Sequence, residues 1–88
     1  MERRAVRICN ELGLHARAAA RLVETANRFQ SQVSVTHGER TVNGKSIMGV
    51  LMLAAARGAE VTIGADGRDA PQALDALCAL VEDGFGEL

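Results

Sequence analysis

The sequence predicts an α+β fold: an open-faced β-sandwich whose four-stranded antiparallel sheet is covered on one face by three helices. Three observations predict it. Four short stretches alternate apolar and polar residues as half-buried strands do, and three others carry apolar residues at helical spacing. They follow one another as β-α-β-β-α-β-α through tight, hairpin-like links, which suit antiparallel pairing. With 88 residues, 48% of them hydrophobic, the chain has enough apolar material for one core and hardly for two, so residues 1–88 are expected to form a single domain.

The first strand is expected over residues 3 to 9, with Val6 and Ile8 on one face and Arg7 on the other. Asn10 to Gly13 make a loop. Ala19, Leu22, Val23 and Ala26 then form a buried helical stripe, leaving Arg17, Arg21, Glu24 and Arg28 on the wet face. "QVSVTH" at 32–37 and "RTVN" at 40–43 are two strands joined through Gly38 and Glu39 as a hairpin. In "SIMGVLMLAAA", Ser46 is the expected N-cap of a short helix and Gly58 its left-handed stop. "AEVTIGA" turns Val61, Ile63 and Ala65 inward as the fourth strand. Asp66 and Gly67 turn the chain into the last helix. There Asp69 is the expected N-cap, Pro71 lies in the first turn, and Gln72 takes the capping-box position. Leu74, Leu77, Cys78 and Val81 are its buried stripe.

Composition excludes several functions. Ten basic and eleven acidic side chains leave a net charge of -1, and two Phe with no Trp or Tyr give no stacking platforms, so nucleic acid is not an expected partner. "MERRAVRICNELGLHAR" has no apolar h-region, and no stretch approaches the roughly 20 apolar residues of a membrane span. No membrane insertion and a cytoplasmic location are therefore expected. Cys9 and Cys78 stand outside any CxxC or metal-ligand spacing and read as packing cysteines in a reducing compartment; no metal and no cofactor is expected.

His15, in "GLHARAAARL", lies one residue before a helix of small side chains, beside backbone N–H groups that have no intrahelical partner. The positive helix end and Arg17 both disfavour a protonated ring, so the imidazole is expected to be neutral and nucleophilic. The same donors suit the oxygens of a phosphoryl group on that ring. The bland alternative is an N-cap in an ordinary loop. His37, at the hairpin tip, reads as a solvated turn residue. "NGKS" at 43–46 imitates the end of a phosphate-binding loop, but Glu39 stands where the first glycine belongs. Packing accounts for Val50, Leu53 and Ala54 in the short helix, whereas Ile47, Met48 and Leu51 share a face suited to docking.

"GLHARAAARL" together with "VNGKSIMGVLMLAA" resembles the histidine-containing phosphocarrier family, HPr and its nitrogen-branch relative NPr, of the bacterial phosphoenolpyruvate-dependent phosphotransferase system, over essentially the whole chain. The resemblance implies that His15 accepts a phosphoryl group from enzyme I and passes it to an EIIA-type protein, with Arg17 assisting. It implies that Ser46 matches the serine modified in some bacteria by an HPr kinase/phosphorylase. Ile47, Met48 and Leu51 match the partner-docking patch, to which Ala20 and Arg21 of the His15 helix are added, and a monomer is expected. Such a protein is a phosphoryl-group carrier rather than an independent catalyst. Two positions depart from the pattern. Ala18 stands where sugar-branch members usually carry Pro, which looks more like the nitrogen-type relatives. Leu12 replaces a small polar residue that, in some members, hydrogen-bonds the second imidazole nitrogen, leaving Asn10 as its substitute. Two other readings compete: a non-phosphorylated regulatory module using the Ile47, Met48 and Leu51 patch, and a ferredoxin-like binding domain with an incidental histidine.

Overall fold

Each alternating stretch becomes a strand in the computed structural model, which describes residues 1–87. Glu2–Arg7 (β1), Gln32–His37 (β2), Arg40–Asn43 (β3) and Glu60–Asp66 (β4) form one antiparallel sheet in the order β1-β4-β2-β3. The register sets apolar residues opposite one another: Val6 faces Val61, Val33 faces Ala65, and Val35 faces Ile63. Because side chains alternate along a strand, Ser34, Thr36, Thr41 and Thr62 fall on the other, uncovered face. Ala16–Ala26 (α1), Ile47–Met52 (α2) and Ala70–Glu82 (α3) cover the apolar face, and a 3-10 turn, Gly84–Gly86, follows.

α3 packs on β1 and β4, α2 on β3, and α1 beside both α2 and α3. Ile8, Leu22, Val35, Ile63, Leu74, Leu77, Val81 and Phe85 meet between the layers and are almost wholly buried. Each such side chain contributes about 1.5–3 kcal/mol relative to exposure. Cys9 and Cys78 are free thiols, half-buried and buried respectively. Burial pushes the Cys78 thiol up, partly offset by Arg4.

Four local expectations are corrected. The first strand ends at Arg7, although Ile8 still enters the core, its N–H donating to the Ala59 carbonyl at 2.8 Å. α2 ends at Met52, not at Gly58, and the left-handed residue after it is Ala54, which is exposed rather than packed. Tertiary partners stop this helix: Arg40 Nη1 donates to the Met52 carbonyl at 2.9 Å and His37 Nδ1 to the Leu53 carbonyl at 3.1 Å. His37 is thus half-buried and engaged, not a solvated turn residue.

The fourth correction is Asp69, which makes no cap bond to α3. Its carboxylate instead accepts from the Gln30 and Ser31 N–H groups, each at 2.9 Å, and from the Ser31 hydroxyl at 2.5 Å. The Ser31 hydroxyl and the Gln30 N–H hold this carboxyl below the usual carboxylate range, against the effect of burial. The "NGKS" stretch is structural as well. A Cβ at Gly44 would lie 2.5 Å from Val33 Cγ1, and Lys45 Nζ donates to the Phe29 carbonyl at 2.8 Å, so neither residue is arranged around a phosphate.

Candidate phosphoryl-acceptor site

The loop before α1 is fixed by the connector that follows α2. Leu14 is buried, and its N–H donates to the Ala55 carbonyl at 2.9 Å. Gly13 has φ 65, and a Cβ there would lie 2.5 Å from the Ala55 oxygen, so only glycine lets the loop approach this closely. His15 is thereby delivered as the N-cap of α1, with extended backbone at φ -74 and ψ 178.

Both ring nitrogens of His15 are engaged. Nδ1 accepts the Arg17 N–H at 3.3 Å, a long contact at the first turn of α1. Nε2 lies 2.5 Å from Glu87 Oε2. Glu87 Oε1 accepts from Asn10 Nδ2 at 2.9 Å, and the same amide donates to the Gly13 carbonyl at 2.9 Å. Asn10, the expected direct partner of the second ring nitrogen, reaches the ring only through Glu87. The Asn10 amide, His15 and the nearby Arg17 charge hold the Glu87 carboxyl below its usual range, against burial. Sequence reasoning missed Glu87. It lies 72 positions from His15, and no local motif joins the two.

Glu11, Leu12, His15, Ala16, Arg17 and Glu87 line a shallow depression of about 530 Å³. Arg17 is exposed beside it, as is Leu12 at 69%. The depression is open to solvent and so suits a group presented by a partner rather than an enclosed ligand.

Of the other residues singled out in the sequence, Ala20 and Arg21 are exposed on α1. Arg21 has a structural task too, since its Nη1 donates to the Phe85 carbonyl and ties down the C-terminal turn. Ile47 and Met48 are 44% and 71% exposed, Leu51 is half-buried against the core, and Met52, at 57%, adds apolar surface that the sequence reading did not assign to the patch. Ser46 is the cap expected of it: Oγ accepts the Gly49 N–H at 3.1 Å. Because α1 packs beside α2, the two groups of exposed residues lie on neighbouring helices. Among the described residues no cluster of His, Cys, Asp or Glu is gathered to hold a metal ion. No helix among them is long and apolar enough to cross a membrane.

A bare ring nitrogen at a helix start, with an arginine alongside, is equipped to take up an anionic group; relatives bear on which one. The family described as the PTS HPr component phosphorylation site matches residues 2–83. The phosphocarrier protein HPr of Cupriavidus necator is 52% identical over 87 residues, covering 99% of this chain and 98% of that one. The phosphocarrier protein NPr of Shewanella violacea is 45% identical over 84 residues, covering 96% of this chain and 92% of that one. The crystal structure of an HPr from Thermoanaerobacter tengcongensis superposes with a TM-score of 0.96 at 43% identity, covering 100% of this chain and 99% of that one. The chain therefore belongs to the HPr family, the phosphocarrier proteins of the phosphotransferase system.

Proposed function

We propose that His15 carries the phosphoryl group, received on Nδ1 from phosphorylated enzyme I and handed on to an EIIA-type protein, in the cytoplasm. The observation that carries this reading is the orientation of the ring: Nδ1 turns its lone pair to the first turn of α1 while Nε2 is occupied by Glu87. A phosphoryl group on Nδ1 displaces the long contact to the Arg17 N–H and presents its oxygens to the first-turn N–H groups and to the Arg17 guanidinium. The cradle is modest, an exposed arginine beside an open depression, and a carrier needs this, because a phosphorylated state held too tightly is released slowly.

Docking falls to Ala20 and Arg21 on α1 and to Ile47, Met48 and Leu51 on α2. The apolar residues supply contact area, and Arg17 and Arg21 steer an acidic partner surface toward fast, transient encounter. Ser46 lies at the edge of that patch and is the residue an HPr kinase/phosphorylase would modify where the cell has one. Incubation with phosphoenolpyruvate and enzyme I, followed by intact mass and acid treatment, tests the reading. One acid-labile phosphate per chain is expected, and an unmodified mass would favour a non-phosphorylated regulatory module instead.

A further inference from the structure

We propose that Glu87 is a positioning residue for His15: anchored by Asn10, it keeps the ring proton on Nε2, so that Nδ1 can take up and release a phosphoryl group with no proton transfer. The proposal rests on the reading of His15 as the phosphoryl acceptor and names a residue that makes that nitrogen reactive. An ionised carboxylate only accepts hydrogen bonds, so the 2.5 Å contact requires the proton on Nε2. The Arg17 N–H, 3.3 Å from Nδ1, requires that nitrogen to be bare. Contacts on opposite sides of the ring thus specify one tautomer, and the low-lying Glu87 carboxyl keeps its side of it ionised.

The support behind Glu87 is built into the fold. Gly84, Phe85 and Gly86 all have positive φ, at 64, 57 and 77, and the left-handed Phe85 is completely buried, its carbonyl held by Arg21. This turn returns Glu87 to the start of α1. Asn10, completely buried, aims its amide nitrogen at Glu87 and Gly13, while its Oδ1 has no partner among the described residues.

The chemistry balances without an added acid or base. The Nδ1 lone pair attacks the phosphorus of the donor phosphohistidine, the donor P–N bond breaks, and its electron pair stays on the donor ring. His15 then bears a phosphorus on Nδ1 and a proton on Nε2, a ring with cationic character that the Glu87 carboxylate offsets. In onward transfer the P–Nδ1 bond breaks, its electron pair returns to Nδ1, and the neutral tautomer is restored. The proton stays on Nε2 throughout.

Glu87→Gln separates this role from mere packing. Asn10 donates to the position of Oε1, so the carbonyl oxygen of the introduced amide must sit there and its NH₂ must face Nε2. The amide then demands a bare Nε2, drives the proton to Nδ1 and removes the nucleophilic lone pair. Phosphorylation by enzyme I charged from phosphoenolpyruvate is expected to slow about 10–100-fold in Glu87→Gln. Glu87→Ala, which imposes no wrong tautomer, should slow less, and Glu87→Asp least. The ¹⁵N shifts of the His15 ring should report Nε2–H in the unphosphorylated wild type and Nδ1–H in Glu87→Gln. Equal rates in the wild type and all three variants, or Nδ1–H in the wild type, would overturn the role of Glu87. A wild-type chain that takes no phosphate at all would instead overturn the carrier reading, while the tautomer measurement still decides what Glu87 does.

Discussion

The two histidines occupy opposite ends of helices, and the contrast supports the proposal that His15 alone carries the phosphoryl group. His15 precedes α1, where backbone N–H groups point outward, so its Nδ1 accepts and must be bare. His37 packs at the end of α2, where backbone carbonyls point outward, so its Nδ1 donates to the Leu53 oxygen and must carry the proton. The same side chain is set in opposite tautomers by the polarity of the helix end it meets. At a helix start the contact leaves a lone pair among donors that suit an anion. At a helix end it uses the ring as a structural cap, and any anion arriving there would meet carbonyl oxygens.

The sharpest way to break this contrast is to remove each ring in turn. His15→Ala should abolish acid-labile phosphate from enzyme I, with little change in the unfolding midpoint, because among the described residues the ring makes only a long contact to α1 and a partly exposed pair with Glu87. His37→Ala should be labelled like the wild type. Acid-labile label surviving in His15→Ala would show that helix polarity does not select the nucleophile.

A somewhat smaller effect is expected at the other end of the helix that His37 caps. Ser46 Oγ caps the start of α2, and an acidic group there gains from the positive helix end, so Ser46→Asp should fold normally. The new charge stands beside Ile47 and Met48, where an acidic partner is proposed to dock. Phosphorylation should therefore slow roughly tenfold at low salt and recover in part at high salt, since exposed charges are screened. Equal rates at both salt concentrations would reduce Ser46 to a cap. A loss that salt does not relieve would point to altered shape rather than charge.

These two helix ends also show what could be read in the sequence. The strands, the stripe of α1, the Ser46 cap and the location of His15 at a helix start are local patterns, and the structure has all of them. The end of α2 is not local: Gly58 had the chemistry of a stop, but Arg40 and His37 reach the Met52 and Leu53 carbonyls across the fold and end the helix first. Glu87 escapes for the same reason, because its meeting with His15 depends on the buried Phe85 and the left-handed turn around it. Asp69 shows the converse, a residue with cap chemistry whose carboxylate is engaged by Ser31 and Gln30.

Asp69 yields the next smaller effect, on stability rather than transfer. Its folded pKa is lowered, so its contribution is complete above the ordinary aspartate value of about 3.9 and is lost as pH falls through the lower folded value. Asp69→Asn should unfold at lower urea than the wild type at pH 7, and the gap should narrow as the pH is taken below about 4. Phosphorylation at pH 7 should be unaffected, since the residue lies at the start of α3 and not at that of α1. A gap of constant size across this pH range would mean that the carboxylate charge contributes nothing and that only its shape matters.

The smallest effect belongs to His37 itself and tests the structural half of the contrast. Its ring is half-buried, and its polar contact, 3.1 Å to the Leu53 oxygen, satisfies a carbonyl that the short α2 leaves without a helical partner. Loss of a single such bond costs about 0.5–1.5 kcal/mol, so His37→Ala should shift urea unfolding by that amount while the transfer rate is unchanged. Arg40 still holds the neighbouring Met52 carbonyl, which limits the loss to the last turn. Amide exchange should accordingly quicken at Leu53 and Ala54 more than at Val50 in the body of α2. If stability and exchange both stay at wild-type values, the ring is a passenger at this helix end; if the transfer rate falls as well, the division between a chemical and a structural histidine fails.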